Sequence, residues 1–171
     1  MNGKIIVEPS ILTKDYVAPI QLVYDAWTQE QHLCKWQVPN EKVQCEYKFA
    51  DIKPGGSALH KMRMPNGNEM WLLTTYQALS PPDTIVFTQY SSNEKGEIVA
   101  PGMPNWPKEI QATIKLSESN GITSMQFIWQ PIDPTAEEAQ AWEASRAQHG
   151  QGWGGGFEML ANYLSKYAGS N

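Results

Sequence analysis

Only two cysteines and three histidines occur among 171 residues, and neither residue type is spaced as a metal or redox motif requires. Cys34 and Cys45 form no C-x-x-C pair, and His32, His60 and His149 stand at no metal-like spacing, so a structural zinc site is not expected. No stretch approaches the roughly 20 apolar residues of a membrane span. The segment Met1 to Glu8 lacks the basic start, long apolar core and small-residue cleavage site of a secretory signal. With two cysteines read as free thiols, a cytoplasmic location is expected. Positive charge is also scarce: 13 Lys and Arg against 18 Asp and Glu give a net charge of −5. Such a balance opposes a phosphate-tracking surface, so neither nucleic acid nor a membrane is an expected partner.

Catalytic motifs are equally sparse. No serine lies in a G-x-S-x-G elbow and no Cys–His signature is present. Glu137, Glu138 and Glu143 fall on one solvated helical stretch rather than forming an acid–base pair. Gly150-Gln151-Gly152-Trp153-Gly154-Gly155 does match G-x-G-x-x-G. A dinucleotide fingerprint, however, needs a preceding strand inside a βαβ unit, and here an alanine-rich helical stretch precedes it. No catalytic residue, cofactor or metal is therefore expected. These glycines are better explained by close approach of a helix backbone to the sheet or to a ligand.

What remains describes an ordered globular chain. Hydrophobic residues make up 41% and charged residues 18%, and the length suits one domain, 1–171, burying about 70% of its unfolded surface. Ser10 to Val17 reads as a first strand. Pro19 opens a helix carrying Ile20, Val23, Tyr24 and Trp27, and Thr28 is placed to cap a second short helix over Gln29 to Lys35. Period-two segments follow at Val43–Phe49, Ser57–Met64, Met70–Ala78, Thr84–Tyr90, Glu109–Leu116 and Thr123–Gln130. Asn66-Gly67 and Asn120-Gly121 mark hairpins. A polar, proline-rich excursion spans Ser91 to Pro107.

After Pro131 the period changes. Thr135-x-x-Glu138 fits a capping box before a helix over Ala136 to Gln148. Gly150, Gly152, Gly154, Gly155 and Gly156 then predict a kink or short break, at about 1 kcal/mol per interior glycine. Trp153, Phe157, Leu160, Ala161 and Leu164 form one apolar helical stripe beyond it. A terminal helix with one oily face must lie against the sheet, and such an arrangement encloses cavities.

Seven tryptophans and seven methionines supply material for an adaptable apolar lining. Strand parity groups His60 with Ala58, Met62 and Met64. Trp36 and Trp153 come from the helices that close over them. Trp71, Tyr76, Phe87 and Trp129 on strands, with Phe157 on the last helix, complete the candidate ligand-binding set.

The order of several short motifs resembles one known family. Ala18-Pro19 is followed by Val23-Tyr24-x-Ala26-Trp27-Thr28 and Leu33-x-x-Trp36-x-x-Pro39. Gly55-Gly56 then leads to Met62-x-Met64-Pro65-x-Gly67. Next come Tyr76, Ser80-Pro81-Pro82-Asp83-x-Ile85-Val86-Phe87-Thr88 and Gly121-x-Thr123. His149-x-x-Gly152-Trp153 and Leu160-x-x-Tyr163-Leu164 close the series. From about Asp15 to Leu164 the chain resembles the activator of heat-shock protein 90 ATPase homologue group of the START-like (SRPBCC) superfamily.

The resemblance implies an α+β helix-grip fold: a curved antiparallel sheet of six or seven strands around a long C-terminal helix, with two short helices after the first strand. It also implies a deep apolar cavity, used across the superfamily for lipids, sterols, hormones and polyketides. Family members often carry paired tryptophans where this chain has Trp36-Gln37, so a different pocket rim is expected. The eukaryotic co-chaperones carry a separate amino-terminal domain that engages the chaperone, for which this chain has no room. The expected partner is a small hydrophobic or aromatic molecule. The alternatives are a polyketide cyclase or aromatase-like enzyme, with His60 and Tyr76 as its first polar candidates, and a chaperone-interacting module.

Overall fold

The computed structural model describes residues 4–169; residues 1–3 and 170–171, the extreme ends of the expected 1–171 domain and part of the leader reading, lie outside the described residues. The strands are β1 (Ser10–Tyr16), β2 (Gln44–Ala50), β3 (Ser57–Arg63), β4 (Glu69–Ser80), β5 (Thr84–Ser92), β6 (Ile110–Ser119) and β7 (Ile122–Pro131). Helices α1 (Ile20–Thr28) and α2 (Glu30–Trp36) follow β1, and α3 (Ala136–Ala144) and α4 (His149–Gly169) follow β7.

All seven strands form one antiparallel sheet in the order β1-β7-β6-β5-β4-β3-β2. Strands β2 to β7 are sequential neighbours, joined by short connections except for the excursion over residues 93–109 between β5 and β6. At Asn120-Gly121 both residues take positive φ, 54° and 78°, which is the backbone a two-residue type I′ turn demands. Strand β1 sits at the edge opposite β2. The chain must therefore cross six inter-strand spacings of about 4.8 Å between them, and α1 and α2 make that crossing.

Two local expectations differ from what is found. Thr28 does not cap α2; its hydroxyl donates back to the Tyr24 carbonyl at 2.9 Å, and Gln29 occupies the cap without a side-chain bond. The predicted break does not fall in the glycines either. It falls earlier, at a 3₁₀ turn over Arg146–Gln148, and α4 then runs unbroken through all five. Thr135 does cap α3, accepting from the Glu138 amide at 3.1 Å.

The apolar stripe of α4 lies on the concave face. Phe157, Leu160 and Leu164 are buried with Phe87, Ile114, Met125 and Phe127 of the sheet. Trp153, expected to be as deeply buried, is only partly so, because it stands beside an unfilled space described below. Lys14 of β1 pairs with Glu158 on the outer side of α4. No helix among the described residues is long and apolar enough to cross a membrane.

Leu160 is fully buried at 0% exposure and touches both layers of this core. Leu160→Ala removes packed methyl groups and leaves a cavity, so it should cost about 2–5 kcal/mol. Urea denaturation of the variant checks this, and an unchanged midpoint would contradict the packing assigned to α4.

Candidate functional site

Between α4 and strands β3 to β5 lies a pocket of about 250 Å³. Its floor is built by cross-strand register. His60 opposes Leu72 and Met62 opposes Met70, and side chains of directly paired residues share a face. Gln89 of β5 pairs with Thr74 of β4, extending the same face. One wall is the segment after α2, Trp36-Gln37-Val38-Pro39, and the roof is α4 at Gly152, Trp153 and Gly156.

The wall is firmly placed. Trp36 is fully buried and donates its indole N–H to the Ala26 carbonyl at 2.8 Å. Tyr47 donates its hydroxyl to Gln37 Oε1 and stacks on His60 with ring centroids 4.8 Å apart. Gln89 Nε2 donates to Thr74 Oγ1 at 3.2 Å.

The roof needs glycine for two different reasons. A Cβ on Gly155 would stand 2.5 Å from the Pro39 carbonyl oxygen, an impossible contact with backbone, so α4 approaches the wall only because that side chain is missing. A Cβ on Gly152 would meet nothing within 4 Å. There the absent side chain leaves room in the pocket instead.

The three histidines are treated unequally. His149 is held by Ser10 through Nδ1 and by Ser145 through Nε2, the latter at 3.1 Å. His32 Nδ1 lies 2.6 Å from the Tyr163 hydroxyl. His60 is 1% exposed and its Nδ1 has no hydrogen-bond partner. Burial holds its pKa down at about 4, because a charged imidazole cannot recover its lost hydration there. At neutral pH it is an uncharged ring with one donor and one acceptor nitrogen. It is also the one titratable side chain among the residues lining this pocket.

Of the sequence candidates, Trp36, His60, Met62, Met64 and Trp153 come together here. The other five lie elsewhere. Trp71 opposes Lys61 and has the opposite parity to Met70 and Leu72; the Lys61 ammonium sits 5.6 Å from its ring. Tyr76, Phe87 and Phe157 are core residues deeper along their elements, and burial raises the Tyr76 hydroxyl above its ordinary pKa. Trp129 belongs to a second aromatic cluster under α3, with Trp106 at 5.9 Å and Trp142 at 5.0 Å. Reasoning from residue type alone missed Gln37, Val38, Pro39, Met70, Leu72 and Gln89. The parity of Met70 and Leu72 with Met62 and His60 was the signal available for two of them.

The sequence matches the family model described as Activator of Hsp90 ATPase homolog 1-like protein over residues 17–165. The chain belongs to that family. Solved structures agree on the fold. A solution structure from Arthrobacter aurescens superposes with a TM-score of 0.76 at 20% identity, covering 91% of this chain and 85% of that one. A crystal structure from Mycobacterium smegmatis gives 0.73 at 16% identity, covering 90% and 88%. A family member from Silicibacter pomeroyi gives 0.70 at 14% identity, covering 93% and 99%. No protein of curated function matches the chain. At these identities the likeness establishes the helix-grip architecture that the sequence motifs implied.

Two outcomes follow from the glycines and from His60. Gly155→Ala should destabilise by about 1–3 kcal/mol through overpacking, whereas Gly152→Ala should stabilise by about 0.5–1 kcal/mol through helix propensity; thermal melts of the two variants distinguish them. The folded-state pKa of His60 lies below the 6.5 of a free imidazole, so the unfolded chain takes up the proton first. Its contribution is complete above pH ~6.5 and is lost as pH falls toward 4, by about 2–3 kcal/mol. Urea titrations at pH 7 and 4.5 should show this loss in the native chain and not in His60→Asn.

Proposed function

We propose that this protein binds a small, flat, largely apolar molecule carrying one hydrogen-bonding group, in the pocket between α4 and β3–β5. The observation that carries the reading is His60, a floor residue of a methionine-lined pocket whose buried Nδ1 has no partner. A buried polar atom without a partner costs about 1–3 kcal/mol, and a ligand that supplies one partner to the imidazole recovers part of that.

Size narrows the class. A cavity of about 150 Å³ holds benzene, so about 250 Å³ suits one or two fused rings. Met62, Met64 and Met70 offer flexible, polarisable contact to an aromatic face. A single neutral imidazole has no acid or base beside it among the lining residues, which favours binding over catalysis.

Tryptophan fluorescence tests the reading, since Trp36 and Trp153 border the pocket. 2-Naphthol should quench saturably and bind about 5–30-fold more tightly than naphthalene, the worth of one buried hydrogen bond. His60→Phe should erase that difference while naphthalene binding persists. Gly152→Phe, which fills the open space, should abolish both. Absence of saturable quenching by either compound, or undiminished binding by Gly152→Phe, would overturn the proposal.

A further inference from the structure

A second chemical feature lies where α2 meets the sheet and does not depend on the ligand reading. Cys34 on α2 and Cys45 on β2 are 11 residues apart in sequence, yet their Sγ atoms stand 3.0 Å from each other. Both cysteines are free and only partly buried. A disulfide spans about 2.05 Å between sulfurs, so an approach of about 1 Å would join them. We propose that Cys34 and Cys45 form a redox-active dithiol that a peroxide oxidises to an intramolecular disulfide, clamping α2 to the edge strand β2.

The two thiols have different parts. Either thiol can donate the hydrogen bond between them; with Cys45 as donor, that bond and one from the Tyr47 backbone hold the Cys34 thiol below its ordinary pKa, against burial and the nearby Glu30 and Glu46. The same hydrogen bond, burial and Glu46 hold Cys45 above its own. In that arrangement Cys34 is the nucleophile and Cys45 the resolving thiol; the disulfide that results is the same whichever sulfur reacts first. The Cys34 thiolate attacks one peroxide oxygen, the O–O bond breaks, and the departing oxygen leaves as water, giving a sulfenic acid. Cys45 sulfur then attacks Cys34 sulfur, and the S–O bond breaks with loss of a second water. The two thiols lose two electrons and two protons in total, and one hydrogen peroxide becomes two waters.

Topology gives the bond a structural consequence. Strand β2 ends the sheet and, among the described residues, pairs only with β3. The loop that the bond would close runs from Cys34 to Cys45 and contains Trp36-Gln37-Val38-Pro39, the pocket wall. Cys45 directly opposes Met62 on the pocket floor, so one bond would tie wall to floor.

The test uses the full chain, reduced and then treated with a small excess of hydrogen peroxide. Both thiols should disappear together, with an intact-mass loss of two hydrogens, a Cys34–Cys45 cross-linked peptide and no covalent dimer. The melting temperature should rise by roughly 5–10 °C and return on treatment with a dithiol reductant. Cys34→Ser and Cys45→Ser should each fold with the melting temperature of the reduced native chain and show no such rise. A sulfinic acid on one cysteine beside a free thiol on the other, a disulfide-linked dimer, or an internal bond that leaves the melting temperature unchanged would each overturn the proposal.

Discussion

The concave side of the sheet is organised around the indole of Trp27. Its ring lies 4.6 Å from Trp36, 6.0 Å from Trp153, 6.1 Å from Phe87 and 6.2 Å from Phe127. Those contacts join α1 to α2, α4, β5 and β7 at one point. An aromatic of this size buries 150–250 Å² and packs with directional preference, so the position of Trp27 fixes how deeply α4 can settle and at what height its first turns cross the sheet. The wall after α2 and the roof of α4 are both set from this centre. The pocket is the volume left between them on the β3–β5 side.

That volume has an electrostatic character set by burial rather than by charge. Among the described residues, two buried side-chain polar atoms lack partners, Trp27 Nε1 and His60 Nδ1. Trp27 packs on Trp36 and Trp153, which line the pocket, and His60 is part of its floor. The unsatisfied buried polarity is thus concentrated around one apolar space, while elsewhere His149 is bonded through both ring nitrogens and His32 through Nδ1. Folding alone gives no reason for this distribution. The proposed recognition of a mostly apolar molecule with one polar atom would supply one.

The strands and hairpins were legible because period two and Asn-Gly turns are strong local signals. The element order from Ser10 to Pro131 follows from them. The candidate site was half legible. Parity placed His60, Met62 and Met64 on one face, and that face is where the pocket lies. Parity is silent, however, on position along the strand: Trp129 shares the concave face with Met125 and Phe127, yet it sits on the far side of α4 beneath α3. Phe87 and Phe157 have suitable orientation and lie deeper in the core. Trp71 has the aromatic type of a lining residue but the opposite parity, opposing Lys61. Which part of a concave face is filled depends on where the helix lands, and that is a long-range outcome.

The glycines of α4 show the same division between local and long-range causes. At about 1 kcal/mol each, five of them in seven positions argue locally for a break. The helix nevertheless continues, because its buried stripe from Phe157 to Leu164 needs the register held back toward His149, which Ser10 and Ser145 anchor. Contact explains some of the five: Gly155 clears the Pro39 carbonyl and Gly150 stands 3.3 Å, by its would-be Cβ, from Leu12. Contact does not explain Gly152, where a side chain would enter open space. Its helix cost is unrelieved by packing, and it stands at the pocket roof. An alanine there would stabilise the fold; a larger residue would close the gap under α4 beside Trp153. Gly152 differs from Gly154 in lining the pocket, where its missing side chain keeps open the space that the proposed ligand would use. Nothing in the structure explains Gly154.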